Sequence, residues 1–202
     1  MTAIEIGRLL RAGTAGFVVG CRVNQLDSPS FGALASVPLG DGYKIYGLIY
    51  DIRIDDDGLV RQLVTADGVD ESVIADNRIN RNVPVEISLL TIGYQQGGRI
   101  YHLLPPRPPL SLDVIYLCQQ DELCQFTAAG RFGYFRHILR ARDLPVGELI
   151  AAHIRQAHQA HCAAGKKDWI SSATQEIITL LRDDYVTLMA VMGALGDAVV
   201  DL

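Results

Sequence analysis

The stretch YKIYGLIYDIRI, residues 43–54, decides the fold. Its even positions (Tyr46, Leu48, Tyr50, Ile52, Ile54) are apolar, and so are Tyr43, Ile45 and Ile49 of the odd set. A strand apolar on one side only would face water on the other; apolar residues on both sides predict a strand covered on both faces, central in its sheet. Gly47 interrupts it. A glycine inside a strand marks a tight bend or the close approach of another backbone, as at the corners of a small barrel.

Upstream, Ile4 and Ile6 followed by Arg8 open a short alternating strand, Gly13 marks a turn, and Phe17, Val18 and Val19 begin the return of a hairpin. Turn formers (Asn24, Asp27, Ser28, Pro29, Ser30, Gly32) predict a loop before the apolar segment 33–37, and Pro38, Gly40, Asp41 and Gly42 turn the chain into the central strand. Downstream the period changes. Leu59, Val60, Leu63 and Val64 have helical spacing, and residues 69–79 form a second helical piece with Val73 and Ile74 inward, so residues 58–82 read as a helical insertion. Alternation returns with Val85, Ile87 and Leu89 against Glu86 and Ser88, and residues 95–98 give a hairpin into Ile100, Tyr101, Leu103 and Leu104.

LPPRPPLSL (residues 104–112) carries four prolines that cannot donate ladder hydrogen bonds, so a paired strand stops there and continues as extended chain. Such a segment is either a stiff bracket across a barrel end or a docking peptide, and composition favours the bracket. The strand resumes at residues 114–118, and strand character is lost only after Phe126. Phe132, Tyr134, Phe135, Ile138 and Leu139 then predict a connecting helix. Asp143, Pro145 and Glu148 start a longer one that runs to about Ala164 and stops at Gly165. Asp168 caps a third, with Ile170, Ala173, Ile177, Leu180 and Leu181 on one side. Asp184 caps a fourth, with Tyr185, Leu188, Met189, Met192, Leu195 and Val199 inward. The expected fold is α+β: a small β-barrel with a helical insertion over residues 1–130, then a helical bundle over 131–202.

The composition, 49% apolar and 20% charged over 202 residues, is that of a globular chain with a substantial core. A formal charge of -5 argues against a general coating of nucleic acid, although a local basic patch is compatible with an acidic body. The amino terminus carries acid and arginine where a signal peptide needs an unbroken apolar run, and no window reaches the length of a membrane span, so a cytoplasmic protein without a membrane partner is expected. Cys21, Cys118, Cys124 and Cys162 are scattered without zinc or redox spacing and are expected to be free thiols.

The opening IGR strand and hairpin, the short strand FGALASV (residues 31–37) and YKIYGLIYDI with its central glycine together resemble the HAS-barrel. That small β-barrel is shared by HerA-type DNA-translocating ATPases and ATP synthase subunits. The resemblance covers about the first 125 residues, with LLPPRPPLSLDVIYL in the place of the closing strand and the insertion at 58–82 breaking it. It extends to a bacterial family that pairs such a barrel with a helical tail. In those ATPases the barrel is an assembly collar, so the resemblance implies contact surfaces and transfers no catalytic residue.

No motif for bond-making chemistry is found. The only Gly-Lys pair, Gly165-Lys166, has Ala160 and Lys167 where a phosphate-binding loop needs glycine and a hydroxyl. The dinucleotide glycine pattern, HExxH and GxSxG are absent, Asp121 and Glu122 lack a partner that would define an acid/base pair, and no cofactor is expected. His158, His161 and Cys162 fall at i, i+3 and i+4 and could share a helical face, but His161 lies on the stripe of Ile150, Ile154 and Ala157. A packed or solvated histidine face is therefore favoured over a metal site. Asp55, Asp56 and Asp57 lack the closing glutamate of a calcium loop, since position twelve is Ala66, and read as a polar turn.

The remaining candidate is GRFGYFRHILRAR, in which Arg131, Arg136, Arg140 and Arg142 interleave with Phe132, Tyr134 and Phe135. It reads as an interdomain helix, a protein-binding segment or a polyanion-binding one. The expectation is a non-enzymatic interaction or assembly module with a protein partner or a second copy, its candidate surface Arg131, Tyr134, Arg136, Arg140 and Arg142. The alternative is a nucleic-acid accessory factor working with a DNA-translocating ATPase or nuclease through the same arginines.

Overall fold

The computed structural model describes residues 3–21, 29–55, 58–79 and 85–199. Asn24, Asp27, Ser28, Asp56, Asp57 and Asn82, used in the reading above, lie outside them. Strands β1 (Ile4–Ala12), β2 (Gly16–Cys21), β3 (Leu34–Pro38), β4 (Lys44–Arg53), β5 (Val85–Gln96) and β7 (Val114–Leu117) close a six-stranded antiparallel barrel in the spatial order β2-β1-β7-β3-β4-β5, with β5 returning to β2. The closing pair runs from Gly16 opposite Leu90 to Cys21 opposite Val85. β5 is long enough for two jobs: its first half pairs with β2, while Tyr94–Gln96 pairs with β6 (Arg99–Tyr101).

The central strand is covered on both faces, as its pattern predicts. Ile45 and Ile49 point into the barrel with Ile6, Leu9, Phe17, Val19, Ile87, Leu89 and Ile115. Tyr46 and Leu48 point outward into a second core formed with the helices. Gly47 belongs to the inward set, and a Cβ there would lie 2.6 Å from Cζ of Phe17, whose ring fills that place. Pairing with β5 slips between Tyr46 and Gly47 and again between Ile49 and Asp51, bulges that bend and twist a strand tightly enough for so small a barrel.

Between β6 and β7 the proline segment is a bracket, with Pro105 and Pro109 buried and its leucines at 103, 104, 110 and 112 exposed. It is tied down by backbone bonds between Leu9 and residues 112 and 113, and by Leu110 N–H donating to the Asp113 carboxylate at 2.7 Å. A run of stacked groups, Arg107 on Tyr43, Tyr43 on Tyr94, Tyr94 on Tyr101 and Tyr101 under Arg99, holds the bracket and β6 to the barrel rim. The strand expected to reach Leu104 stops at Tyr101 because the His102 carbonyl accepts from the Arg136 guanidinium and from Nε2–H of His137 instead of from a strand.

The insertion consists of α1 (Leu59–Thr65) and α2 (Glu71–Ile79), as the spacing predicts. Val73, expected inward, is 45% exposed; Ile74 alone of that pair is half-buried, because so short a helix turns one narrow stripe to the protein. Beyond β7 the strand pattern expected up to Phe126 gives way to a helix, α3 (Gln120–Ala128), with Asp121 and Glu122 in its first turn where the helix dipole favours acids. After a 3-10 turn (Gly130–Phe132) come α4 (Phe135–Leu139), α5 (Val146–Ala163), α6 (Trp169–Leu180) and α7 (Tyr185–Val199).

Gly165 ends α5 as read, at φ +76°, its N–H bonded to the Cys162 carbonyl and that of Lys166 to the His161 carbonyl. Asp184 caps α7 by accepting from Thr187 N–H at 3.1 Å, whereas the Asp168 side chain makes no cap bond to α6. The inward faces of the last two helices also differ from the reading. Leu181 is buried but Leu180 exposed, and α7 buries Val191 and Leu195 while Tyr185 and Met189 face solvent. The helices pack on the outer face of β4 in one core that joins Leu34, Tyr46, Leu48 and Ile92 to Phe126, Tyr134, Ile150 and Ile154.

Gly47→Ala should destabilise the protein by roughly 1–3 kcal/mol through overpacking against Phe17. Urea unfolding of G47A, F17L and G47A/F17L checks this: the double variant should lose less stability than the two single losses added.

Candidate functional site

The arginine-aromatic segment sorts itself by burial. Phe132 stacks on Phe135 at 5.6 Å and leans on Trp169, while Tyr134 and Phe135 have no exposed surface. Tyr134 therefore leaves the candidate surface: its ring packs against Phe126, His102 and His153 in the core. Arg136 is half-buried and occupied with the His102 carbonyl, which gives it a structural task. Arg131, Arg140 and Arg142 are exposed, and among the described residues no carboxylate lies within ion-pair distance of them. Rings turn in and guanidiniums turn out, so the interleaving seen in the sequence does not become a mixed aromatic-basic surface.

Arg142 reaches a groove of about 520 Å3 between the β1–β2 hairpin and the loop joining α4 to α5. Tyr50, Leu90 and Leu144 form part of its lining, and Arg11 stands on its other edge in a bidentate pair with Glu86, at 3.0 and 2.6 Å. Glu122, read as a lone acid, forms a 2.6 Å ion pair with Lys44 that ties α3 to β4. Among the described residues no group of three or more His, Cys, Asp or Glu converges as metal ligands would.

The His158, His161 and Cys162 set is split by the fold. His161 is fully buried, stacked on Trp169 at 4.6 Å, with Nε2 2.8 Å from Oγ1 of Thr127. That hydroxyl donates its one proton to the Leu123 carbonyl, so it accepts from His161, which places the imidazole proton on Nε2. His158 and Cys162 remain half-exposed, 3.5 Å apart. All four cysteines are free thiols.

Sequence reasoning passed over two further buried histidines. Nε2 of His102 lies 3.0 Å from the Phe126 carbonyl and Nδ1 of His153 lies 3.1 Å from the Gly32 carbonyl, so each donates there and carries its bare nitrogen on the other side. Those bare nitrogens, with Nδ1 of His161 and the Tyr134 hydroxyl, are buried without a hydrogen-bond partner among the described residues. Isolated histidines on apolar stripes give no spacing signal, so only packing reveals them. Burial pushes all three imidazoles down to about 4; the nearby charges of Lys166 and His158 add to the effect at His161.

The least expected surface is the solvent side of α7. At 100° per residue Tyr185, Met189, Gly193, Val186, Asp197 and Ala190 fall on one side of the helix, opposite the buried Val191 and Leu195. Val186 is 81% exposed, Tyr185 70% and Met189 53%, and among the described residues of α7 Asp197 is the only charge. A helix on the surface of a monomer places charged residues there. Gly193 and Gly196 each cost a helix about 1 kcal/mol relative to alanine, and among the described residues nothing beyond the adjoining helix backbone lies within 4 Å of the place a Cβ would take at either.

No family model matches this chain, and a search of curated proteins finds no match to it. No helix among the described residues is long and apolar enough to cross a membrane.

The three buried histidines make folding acid-sensitive. Unfolded imidazoles take up a proton near pH 6.5 and the folded ones only near 4, so the unfolded state binds more protons between these values. Stability should be full well above pH 6.5, fall as the pH drops from 6.5 toward 4 and level off below, with His102 and His153 each removing about 2 kcal/mol by pH 5. Urea unfolding from pH 7.5 to 4.5 measures the slope, and His161→Gln should lower it by one proton.

Proposed function

We propose that this chain is a non-enzymatic protein-interaction or assembly module, with the barrel as a rigid base and α7 as the association surface. The observation that carries this reading is the largely apolar solvent face of α7, with Val186, Tyr185 and Met189 on its outside and Asp197 as its one charge among the described residues. Exposed apolar faces of this kind mark protein contacts. The resemblance of the first 125 residues to the HAS-barrel agrees with it, since such barrels serve as collars on which other subunits assemble.

The test compares the full chain with V186E/M189E, changes at exposed positions that should leave the circular dichroism spectrum and melting temperature unaltered. Light scattering and purification from the native host should give an associated species, either an oligomer or a stoichiometric partner protein, that the variant loses. A chain monomeric and unaccompanied in both forms would overturn the proposal.

A second reading, a nucleic-acid accessory factor acting with a DNA-translocating ATPase or nuclease, is favoured by the three exposed arginines, which have no carboxylate partner among the described residues. With the rings buried, Arg131, Arg140 and Arg142 offer grips for phosphates and no aromatic platform for bases. Binding to DNA should then be independent of sequence, with log K falling by roughly 2–3 per decade of salt, and be lost in R140A/R142A. Fluorescence anisotropy at low salt decides it, and no binding there removes this reading.

A further inference from the structure

We infer that the groove between the β1–β2 hairpin and the loop joining α4 to α5 binds a small amphipathic carboxylate, a molecule with an acid group on an apolar body. The groove lies on the outer face of the barrel. Arg11 stands opposite Val18 in the β1–β2 pair, and Gly16 opposite Leu90 in the β2–β5 pair. Phe17 and Leu89 belong to the barrel core, so strand alternation turns Val18 and Leu90 outward, where both are half-buried. Gly16 puts no side chain beside them, because a Cβ there would lie 2.8 Å from the Leu89 carbonyl oxygen. The floor is therefore apolar and low. With Leu144 lining it from the loop, the groove encloses about 520 Å3, within the ~300–1,000 Å3 of small-molecule sites.

Charge at this groove has one sign. Its lining holds two guanidiniums, Arg11 and Arg142, and no carboxylate. Arg11 is already satisfied, its two terminal nitrogens bonded to Glu86 at 3.0 and 2.6 Å. Arg142 is exposed and makes no ion pair among the described residues; Asp143, its neighbour in the chain, is neither within ion-pair distance of it nor part of the lining. An apolar floor alone accepts any apolar molecule, but a free guanidinium at its edge selects one that carries an anion, and the planar fork of donors matches a carboxylate. Arg140, also exposed, lies outside the lining, so it separates a site built around Arg142 from a general attraction of anions to the arginines. The groove and α7 share no residue, so this inference and the association surface stand or fall separately.

Isothermal titration calorimetry of the full chain with decanoate up to about 2 mM should show saturable binding. Decyltrimethylammonium, with a similar tail and the opposite charge, and acetate, the acid without the tail, should show none in that range. R142Q should weaken decanoate binding about fivefold and R142E at least about tenfold, while R140Q leaves it within about twofold. Circular dichroism should find all three variants folded, since both arginines are exposed. Backbone amide resonances of Gly16, Val18, Leu90 and Leu144 should shift as decanoate is added. No saturable decanoate binding, equal binding of the ammonium or of acetate, resonance shifts confined to another face, or R142Q and R142E titrating like the parent chain would overturn the inference. So would a loss in R140Q as large as in R142Q, which leaves only a diffuse attraction between anions and arginines.

Discussion

Barrel closure depends on β5 pairing with β2 while its other edge is already taken by β4. Six antiparallel strands have no free edge only if this last pair forms, and the residues it joins lie far apart in sequence. The inside of so small a barrel has room for few large side chains. Phe17 takes the centre because Gly47 offers no Cβ, and the bulges in β1 and β4 supply the curvature that lets the strands meet.

Closure in turn makes the outer face of β4 a platform. Tyr46 and Leu48 point away from the barrel and are covered by Phe126 of α3 and by the helices that follow. This second core is polar in places, and its polar groups also fasten it: the His102 carbonyl holds Arg136 and His137, His153 holds the loop at Gly32, and His161 holds Thr127. Each imidazole keeps one nitrogen without a partner among the described residues, so these histidines join elements at some cost in buried polar surface. None of the three histidines lines the groove beside Arg142.

Two surfaces remain as candidates: the exposed arginines on either side of α4, without carboxylate partners among the described residues, and the apolar outer side of α7. The first was suggested by composition and is weakened by geometry, since its aromatic rings pack inward. The second gains from geometry, since residues that look like core in the sequence are found on the outside.

The sequence by itself determined the barrel strands, the position of β4 between two cores, the proline bracket, the helical insertion and the stop at Gly165. These rest on short-range pattern: alternation, turn chemistry and helix-end signals act within a few residues. Only the tertiary structure decided which side of α7 faces inward. That helix is apolar nearly all round, so its hydrophobic period is too weak to orient it, and packing on α5 selects the Val191–Leu195 stripe over Tyr185 and Met189. The same holds for Tyr134, Arg136 and the three histidines, whose roles are set by neighbours brought from distant parts of the chain and therefore leave no local trace.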